Sequence, residues 1–233
     1  MTTPKGQIPK TVAILLDGNR RWAKARNLPE IEGHKVTLNN LKSIIRRAGE
    51  LGVQSLTLWI FSPENFRRDQ KFLDSIFALA REYLKRGEYF EEITREGGKL
   101  SIIGDLSLFP KDIEKGMLKY ILNSNPKEKK IDVVLAMGYG GRNELARAFK
   151  KMLADKVPPE EVTEEKIYSY LDMKEDVDLM IRTGARQRTS GLYIYQAAYA
   201  ELYFTNVMCP DFTVKEFDKA LVDFAKRQRN FGR

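Results

Sequence analysis

Two stretches of this chain, Leu100-Ser-Ile-Ile-Gly104 and Ile131-Asp-Val-Val-Leu-Ala136, are too continuously apolar to be strands with one wet face. Such runs belong to sheets covered on both sides. These sheets are mostly parallel, and a parallel sheet needs a crossover, usually a helix, between its strands. The rest of the chain supplies that alternation. Apolar runs near 11–17, 55–61, 178–183 and 200–206 join those near 99–105 and 131–139 as strand candidates. Segments with helical spacing occupy roughly 34–51, 69–92, 110–123, 142–156, 163–171 and 213–229. The pattern predicts an α/β fold with a mostly parallel central sheet of about six strands flanked by helices. The 233 residues, 42% hydrophobic, fill one sizeable core, so residues 1–233 are expected to form a single domain, with 1–10 as a flexible N-terminus. No internal repeat or low-complexity tract interrupts it. Asn123-Ser-Asn-Pro-Lys-Glu-Lys-Lys130 reads as an exposed loop, and Val157-Pro-Pro-Glu-Glu161 as a turn into a helix capped by Thr163.

The run Thr11-Val-Ala-Ile-Leu-Leu-Asp17-Gly-Asn-Arg-Arg-Trp22 carries the densest chemistry. A strand delivers one carboxylate, Asp17, to a sheet end, and open α/β sheets place their sites at such ends. Gly18-Asn19 then turns the backbone ahead of Arg20 and Arg21. An acid able to hold a divalent cation beside two guanidiniums suits a polyphosphate ligand. An Asp-Gly turn capping a helix start explains the same residues equally well.

Composition narrows the classes. One cysteine, Cys209, excludes an intrachain disulfide framework and a cysteine-rich zinc site, and any serine–histidine chemistry must run through His34, the only histidine. The N-terminus shows no apolar core of signal-peptide length, and no window approaches the ~20 apolar residues of a membrane span, so a soluble cytoplasmic protein is expected. A net charge of +8 suits nucleic acid, an anionic membrane surface or phosphorylated small molecules. The arginines decide among these by position. Arg20, Arg21, Arg142, Arg182 and Arg188 fall at strand ends and beside glycines rather than along one exposed helix, which favours a concave phosphate site over a duplex-binding surface.

Four further segments extend that reading. Ile60-Phe-Ser-Pro-Glu-Asn-Phe-Arg-Arg68 follows a strand with hydrogen-bonding and cationic groups, or is simply a polar loop. Ala136-Met-Gly-Tyr-Gly-Gly-Arg-Asn-Glu144 is a glycine turn opening a helix, whose free N–H groups can bind anions. Neither a dinucleotide fingerprint nor a Walker loop is present. Asp178-Leu-Met-Ile-Arg-Thr-Gly-Ala-Arg-Gln-Arg-Thr-Ser190 emits Arg182, Arg186 and Arg188 around a flexible Gly184-Ala185, and guanidinium forks match paired phosphate oxygens. In Tyr199-Ala-Glu-Leu-Tyr-Phe204, Glu201 is either a partner of the arginines or a metal ligand. The wide apolar stripe Phe72, Leu73, Ile76, Phe77, Leu79, Ala80, Tyr83, Leu84 is ordinary core by default, and a hydrocarbon-lined cleft if other motifs require one.

Taken in order, Asp17-Gly-Asn-x-Arg-Trp22, Glu32-Gly-His-Lys35, Phe61-Ser-x-Glu-Asn-Phe-x-Arg68, Tyr139-Gly-Gly-Arg142, Asp178-Leu-x-Ile-Arg-Thr183, Arg188-x-Ser190 and Ala200-Glu-Leu-Tyr-Phe204 resemble the cis-prenyltransferase family over nearly the whole chain. The resemblance implies an Mg²⁺-dependent homodimer that condenses isopentenyl diphosphate with an allylic diphosphate and leaves a Z double bond. A hydrophobic tunnel beside the sheet is implied too, with the helix from Phe72 as its wall. It further implies that Asp17 holds the metal and Glu201 completes its site. Gly18, Arg20 and Arg21 would cradle the allylic diphosphate, with His34 near the phosphates; Arg182, Arg188 and Ser190 would hold that of isopentenyl diphosphate, and Glu64, Asn65 and Arg68 would bind substrate. Asn19 and Ser62 fall where the family places proton removal or phosphate relay. Trp22, Phe61 and Phe66 would wall the allylic tail. Product release would bring peripheral membrane contact, and nucleic acid is not expected as a partner.

The chain departs from the family pattern at several positions. Arg20 replaces a frequent Gly, Glu30 a frequent Arg, Gly138 a frequent Asn, and Gly184-Ala-Arg186 a segment that usually ends in an acid. Asn230 replaces an arginine, though Arg229 remains. These bear most on the second substrate and motivate an alternative, irregular coupling of two allylic units. A non-catalytic partner subunit conflicts with the intact Asp17-Gly-Asn, and nucleic-acid binding rests on charge alone. Ile60, where long-chain members often have alanine, hints at a narrowed tunnel and a short or medium product.

Overall fold

In the computed structural model, which describes residues 6–228, β1 (Thr11–Leu15) is buried at every position and pairs in parallel with a strand on each side. Its side chains alternate as a pleated strand requires. Val12 and Ile14 pack on one face of the sheet, Ala13 and Leu15 on the other. Five more strands complete the sheet: β2 (Ser55–Phe61), β3 (Gly98–Ile103), β4 (Ile131–Met137), β5 (Leu179–Arg182) and β6 (Glu201–Phe204). The order is β3-β4-β2-β1-β5-β6 and every pairing is parallel. Among the described residues, eight α-helices flank it: α1 (Asn19–Lys24), α2 (Glu30–Glu50), α3 (Gln70–Arg86), α4 (Glu88–Arg95), α5 (Lys111–Leu122), α6 (Gly141–Ala154), α7 (Glu164–Tyr170) and α8 (Val214–Phe224). This is the single α/β domain expected. No helix among the described residues is long and apolar enough to cross a membrane.

One face packs Leu41, Ile44 and Ile45 of α2 and Phe217, Leu221 and Phe224 of α8 against Ile14, Leu56, Leu58, Leu100 and Leu135. The other covers Ala13, Val134 and Met180 with Met173, Val177, Leu192 and Tyr193. Each fully buried aliphatic or aromatic side chain contributes about 1.5–3 kcal/mol. A polar clamp lies within the second layer. The Glu144 carboxylate, 1% exposed, accepts from the Tyr139 hydroxyl (2.5 Å), the Asp172 N–H (2.9 Å) and Gln196 Nε2 (3.2 Å). It ties α6 to the chain on either side of β5.

Two expectations change. The continuous helix over 69–92 is two helices, because Gly87 at φ 72° ends α3 and starts α4. β4 is buried on both faces as its sequence implied, but β3 is an edge strand with Lys99 exposed. Thr163 does cap α7, accepting from Lys166 N–H at 3.2 Å. Of the N-terminal ten residues, 1–5 lie outside the described residues; Pro9 is buried and Lys10 N–H donates to Asp178 at 2.7 Å. Arg229 and Asn230 also lie outside the described residues.

Candidate active site

The strand order reverses between β1 and β5, where the chain, having laid strands on one side of β1, moves to the other. Open α/β sheets leave a crevice at the carboxyl ends of strands at such a point. Leu15 pairs with Arg182, so Asp17 and the Arg182 guanidinium emerge there side by side. Arg182 Nη2 donates to Asp17 Oδ2 at 2.9 Å, and Nη1 to Ser190 Oγ at 2.6 Å and Arg188 O at 2.5 Å. Arg21 adds a second cation, with Nη2 3.2 Å from Asp17 Oδ1 and 2.6 Å from Gly184 O. The turn beneath is secured by Thr183, whose hydroxyl accepts from Asp17 N–H (2.9 Å) and donates to Asp17 O (2.7 Å). Asp17 is thus a partly exposed carboxylate between two guanidiniums, one of them buried.

A second cationic group forms the rim. Arg20 makes a two-pronged pair with Glu30 (Nε to Oε2 2.6 Å, Nη2 to Oε1 2.9 Å) and stacks on the Phe72 ring, as Arg68 also does, at 5.0 and 4.9 Å. The departures at positions 20 and 30 therefore form one ion pair. His34 stands against the same ring, and its Nε2 is buried without a partner. Burial, reinforced by the Arg68 and Arg20 cations, lowers its pKa to about 4 and keeps the imidazole neutral at physiological pH.

From this charged head an apolar cavity of about 950 Å³ runs obliquely across one face of the sheet. It passes Leu58 to Phe61 of β2 and Leu135 of β4, and reaches Leu100 near the start of β3. Leu38, Leu41 and Ile45 of α2 form one wall; Ile76, Leu79, Ala80 and Tyr83 of α3 and Tyr89, Phe90 and Ile93 of α4 form the other. Ion pairs from Lys42 to Glu92 and from Arg46 to Glu96 bind α2 to α4 and to the residue that follows it. Residues 15–232 match the undecaprenyl diphosphate synthase family of prenyltransferases.

The chain belongs to this family. An isoprenyl transferase from Aquifex pyrophilus is 40% identical over 97% of each chain. A tritrans,polycis-undecaprenyl-diphosphate synthase (geranylgeranyl-diphosphate specific) from Thermococcus kodakarensis is 36% identical over 98% of this chain and 88% of that one. Among solved structures, lavandulyl diphosphate synthase from Lavandula x intermedia, in complex with dimethylallyl diphosphate, superimposes with a TM-score of 0.90 at 32% identity, covering 97% of this chain and 99% of that one.

Asp17, Gly18, Asn19, Arg20, Arg21, His34, Phe61, Ser62, Glu64, Asn65, Arg68, Arg182, Arg188 and Ser190, singled out from the sequence of this prenyltransferase-family chain, all line the one cavity. Three expected residues do not. Trp22 faces away: its Nε1 donates to Asp211 at 2.7 Å and Arg26 covers its ring. Phe66 sits behind Phe61 in an aromatic cluster with Phe77 and Phe109. Glu201 pairs with Leu179 at the start of β6, three residues and about 10 Å before the strand end that faces the cavity. Its carboxylate is held by Arg227 at 2.7 Å. At the glycine turn before α6, the Gly141 N–H is taken by Gly191 O at 2.7 Å, and none of the turn's glycines lines the cavity. Sequence reading missed Thr37, whose hydroxyl holds Asn19 and carries no spacing signal, and gave no role to Thr183, which stands in a quoted motif and holds Asp17.

Proposed function

We propose that the chain is a Mg²⁺-dependent cis-prenyltransferase that condenses isopentenyl diphosphate with an allylic diphosphate primer to give a Z-prenyl diphosphate. One observation carries the reading: a paired carboxylate–guanidinium cluster opens directly into an apolar cavity of about 950 Å³. A ligand that is anionic at one end and hydrocarbon beyond it fits such a site. Among the described residues no group of three metal-binding side chains occurs. A single carboxylate still suits Mg²⁺, which is commonly held by one or two carboxylates together with substrate phosphates. Asp17 would hold the ion, which when bound would neutralise the charge gathering on the departing diphosphate.

This chain's own groups do the rest. Arg21, Arg20 and Arg68 hold the primer diphosphate at the rim, with His34 neutral beneath it. Arg182, Arg188 and Ser190 hold the diphosphate of the incoming unit, so that two anions face one reaction centre. As the allylic C1–O bond breaks, these preorganised donors stabilise the leaving group, and the electron pair of the isopentenyl double bond forms the new bond at C1. Loss of a proton completes the condensation. The walls from Leu38 to Ile93 keep water from the allylic cation and take up the growing chain. A homodimer and peripheral membrane contact for product release belong to the same reading.

The test is incubation of the protein with Mg²⁺, labelled isopentenyl diphosphate and a primer panel. Dimethylallyl and geranylgeranyl diphosphates are included because the lavender and Thermococcus proteins name them. Elongated products that vanish in Asp17→Ala support the reading. No incorporation with any primer overturns it, and product formed from allylic diphosphate alone would establish irregular coupling instead.

A further inference from the structure

We propose that Thr37 is a positioning residue for Asn19, fixing that amide so that it meets a diphosphate as a hydrogen-bond donor. This rests on the functional reading above. The placement starts with α2, whose Gly33 and Thr37, four residues apart, share one face. Gly33 lets α2 approach α1 closely: a Cβ there would stand 2.3 Å from Asn19 O. One turn later, Thr37 reaches the Asn19 side chain. Both residues are buried, Thr37 4% and Asn19 7% exposed, and both line the cavity.

The bonding leaves the amide one orientation. Asn19 Nδ2 donates to Leu16 O at 2.9 Å, and because a backbone carbonyl can only accept, the nitrogen must face it. That turns Oδ1 toward Thr37, whose hydroxyl donates to it at 2.5 Å. A helical threonine ordinarily bonds back to the carbonyl four residues earlier. Here the hydroxyl crosses to another helix instead. The terminal torsion of asparagine is broad, so a single bond to Leu16 would let the amide swing, and the second bond closes that freedom. With oxygen and one N–H committed to protein, the remaining N–H is what Asn19 offers a ligand. Asn19 therefore stabilises a leaving anion and does not remove the proton.

The experiment compares wild type, T37S, T37V, N19A and T37V/N19A, each checked by thermal melting. Turnover with a saturating primer is measured, and so is calorimetric binding of inorganic diphosphate, which needs no turnover. T37V is expected to lose about tenfold in kcat and in diphosphate affinity with primer KM nearly unchanged. T37S should stay close to wild type, and T37V should add nothing in the N19A background. Wild-type turnover and diphosphate affinity in T37V overturn the proposal, and so does an equal loss with and without the Asn19 amide. If T37V fails to fold, T37A is read by the same criteria. A wild type inactive on every primer, whose diphosphate affinity still falls in T37V, would refute the functional reading and leave this assignment standing.

Discussion

His34 is the chain's only histidine, so its ionisation can be followed without overlap from any other imidazole. Burial and the Arg68 and Arg20 cations outweigh the opposing Glu30 carboxylate and lower its pKa from 6.5 to about 4. The unfolded chain keeps the ordinary value, so between those two pH values the unfolded state binds the extra proton and the folded state does not. Stability from this group is then fully present above about pH 6.5 and is lost as pH falls, the loss levelling off near pH 4. Its full size is about 3 kcal/mol, with about 2 kcal/mol gone at pH 5. For a chain of this length that corresponds to a fall of roughly 4–8 °C in Tm. His34→Gln removes the titration and leaves every carboxylate in place. The wild-type stability relative to this variant should therefore drop by about 2 kcal/mol between pH 7 and pH 5, read by urea unfolding. Directly, the His34 Cε1–H resonance should titrate near pH 4. Inorganic diphosphate should raise that midpoint by masking Arg20 and Arg68. A midpoint above about pH 6, or parallel pH profiles for the two proteins, would refute the reasoning.

Ile60 lines the cavity beside Phe61, so Ile60→Ala should lengthen the product distribution; products no longer than wild type would end the idea that this side chain narrows the passage. Gly33→Ala puts a Cβ against a backbone oxygen, which overpacking data place at about 1–3 kcal/mol of destabilisation, and an unaltered melting curve would show that the α1–α2 contact yields. Glu144→Ala leaves the Tyr139 hydroxyl, Gln196 amide and Asp172 N–H without their acceptor, a loss of about 3–5 kcal/mol in urea unfolding. Glu144→Gln should recover part of it, and a loss below about 1 kcal/mol in the alanine variant would contradict the clamp.

Where pattern and position coincide, sequence and structure agree. Thr11 to Leu15 reads as a strand because every side chain is apolar or β-branched, and Asp17 must then fall at its end. The charged segments after β1, β2 and β5 meet because parallel strands present all their carboxyl ends on one side. What stayed hidden depends on contacts that periodicity does not encode. The apolar spacing of Phe72 to Phe90 runs on through Gly87, so nothing in it announces a break. The resemblance makes Trp22 a wall for the tail, but its N–H finds Asp211, far along the chain. Glu201 sits on a strand whose register, not its sequence, sets it back from the cavity. Strand β3 reads as buried from its apolar run at Leu100, Ile102 and Ile103, yet it lies at the rim of the sheet, and Lys99 just before that run stands exposed.

The break at Gly87 divides one wall between two owners. Residues of α3 face the middle of the cavity and those of α4 its far reach, while the charged head belongs to α1, α2 and the segments that follow β1, β2 and β5. Inherited change can therefore work on the depth of the chamber through a short helix of eight residues, Glu88–Arg95, leaving the reacting end untouched. Exchanges at Tyr89, Phe90 and Ile93 would alter the far reach of the chamber without touching a residue of the charged head.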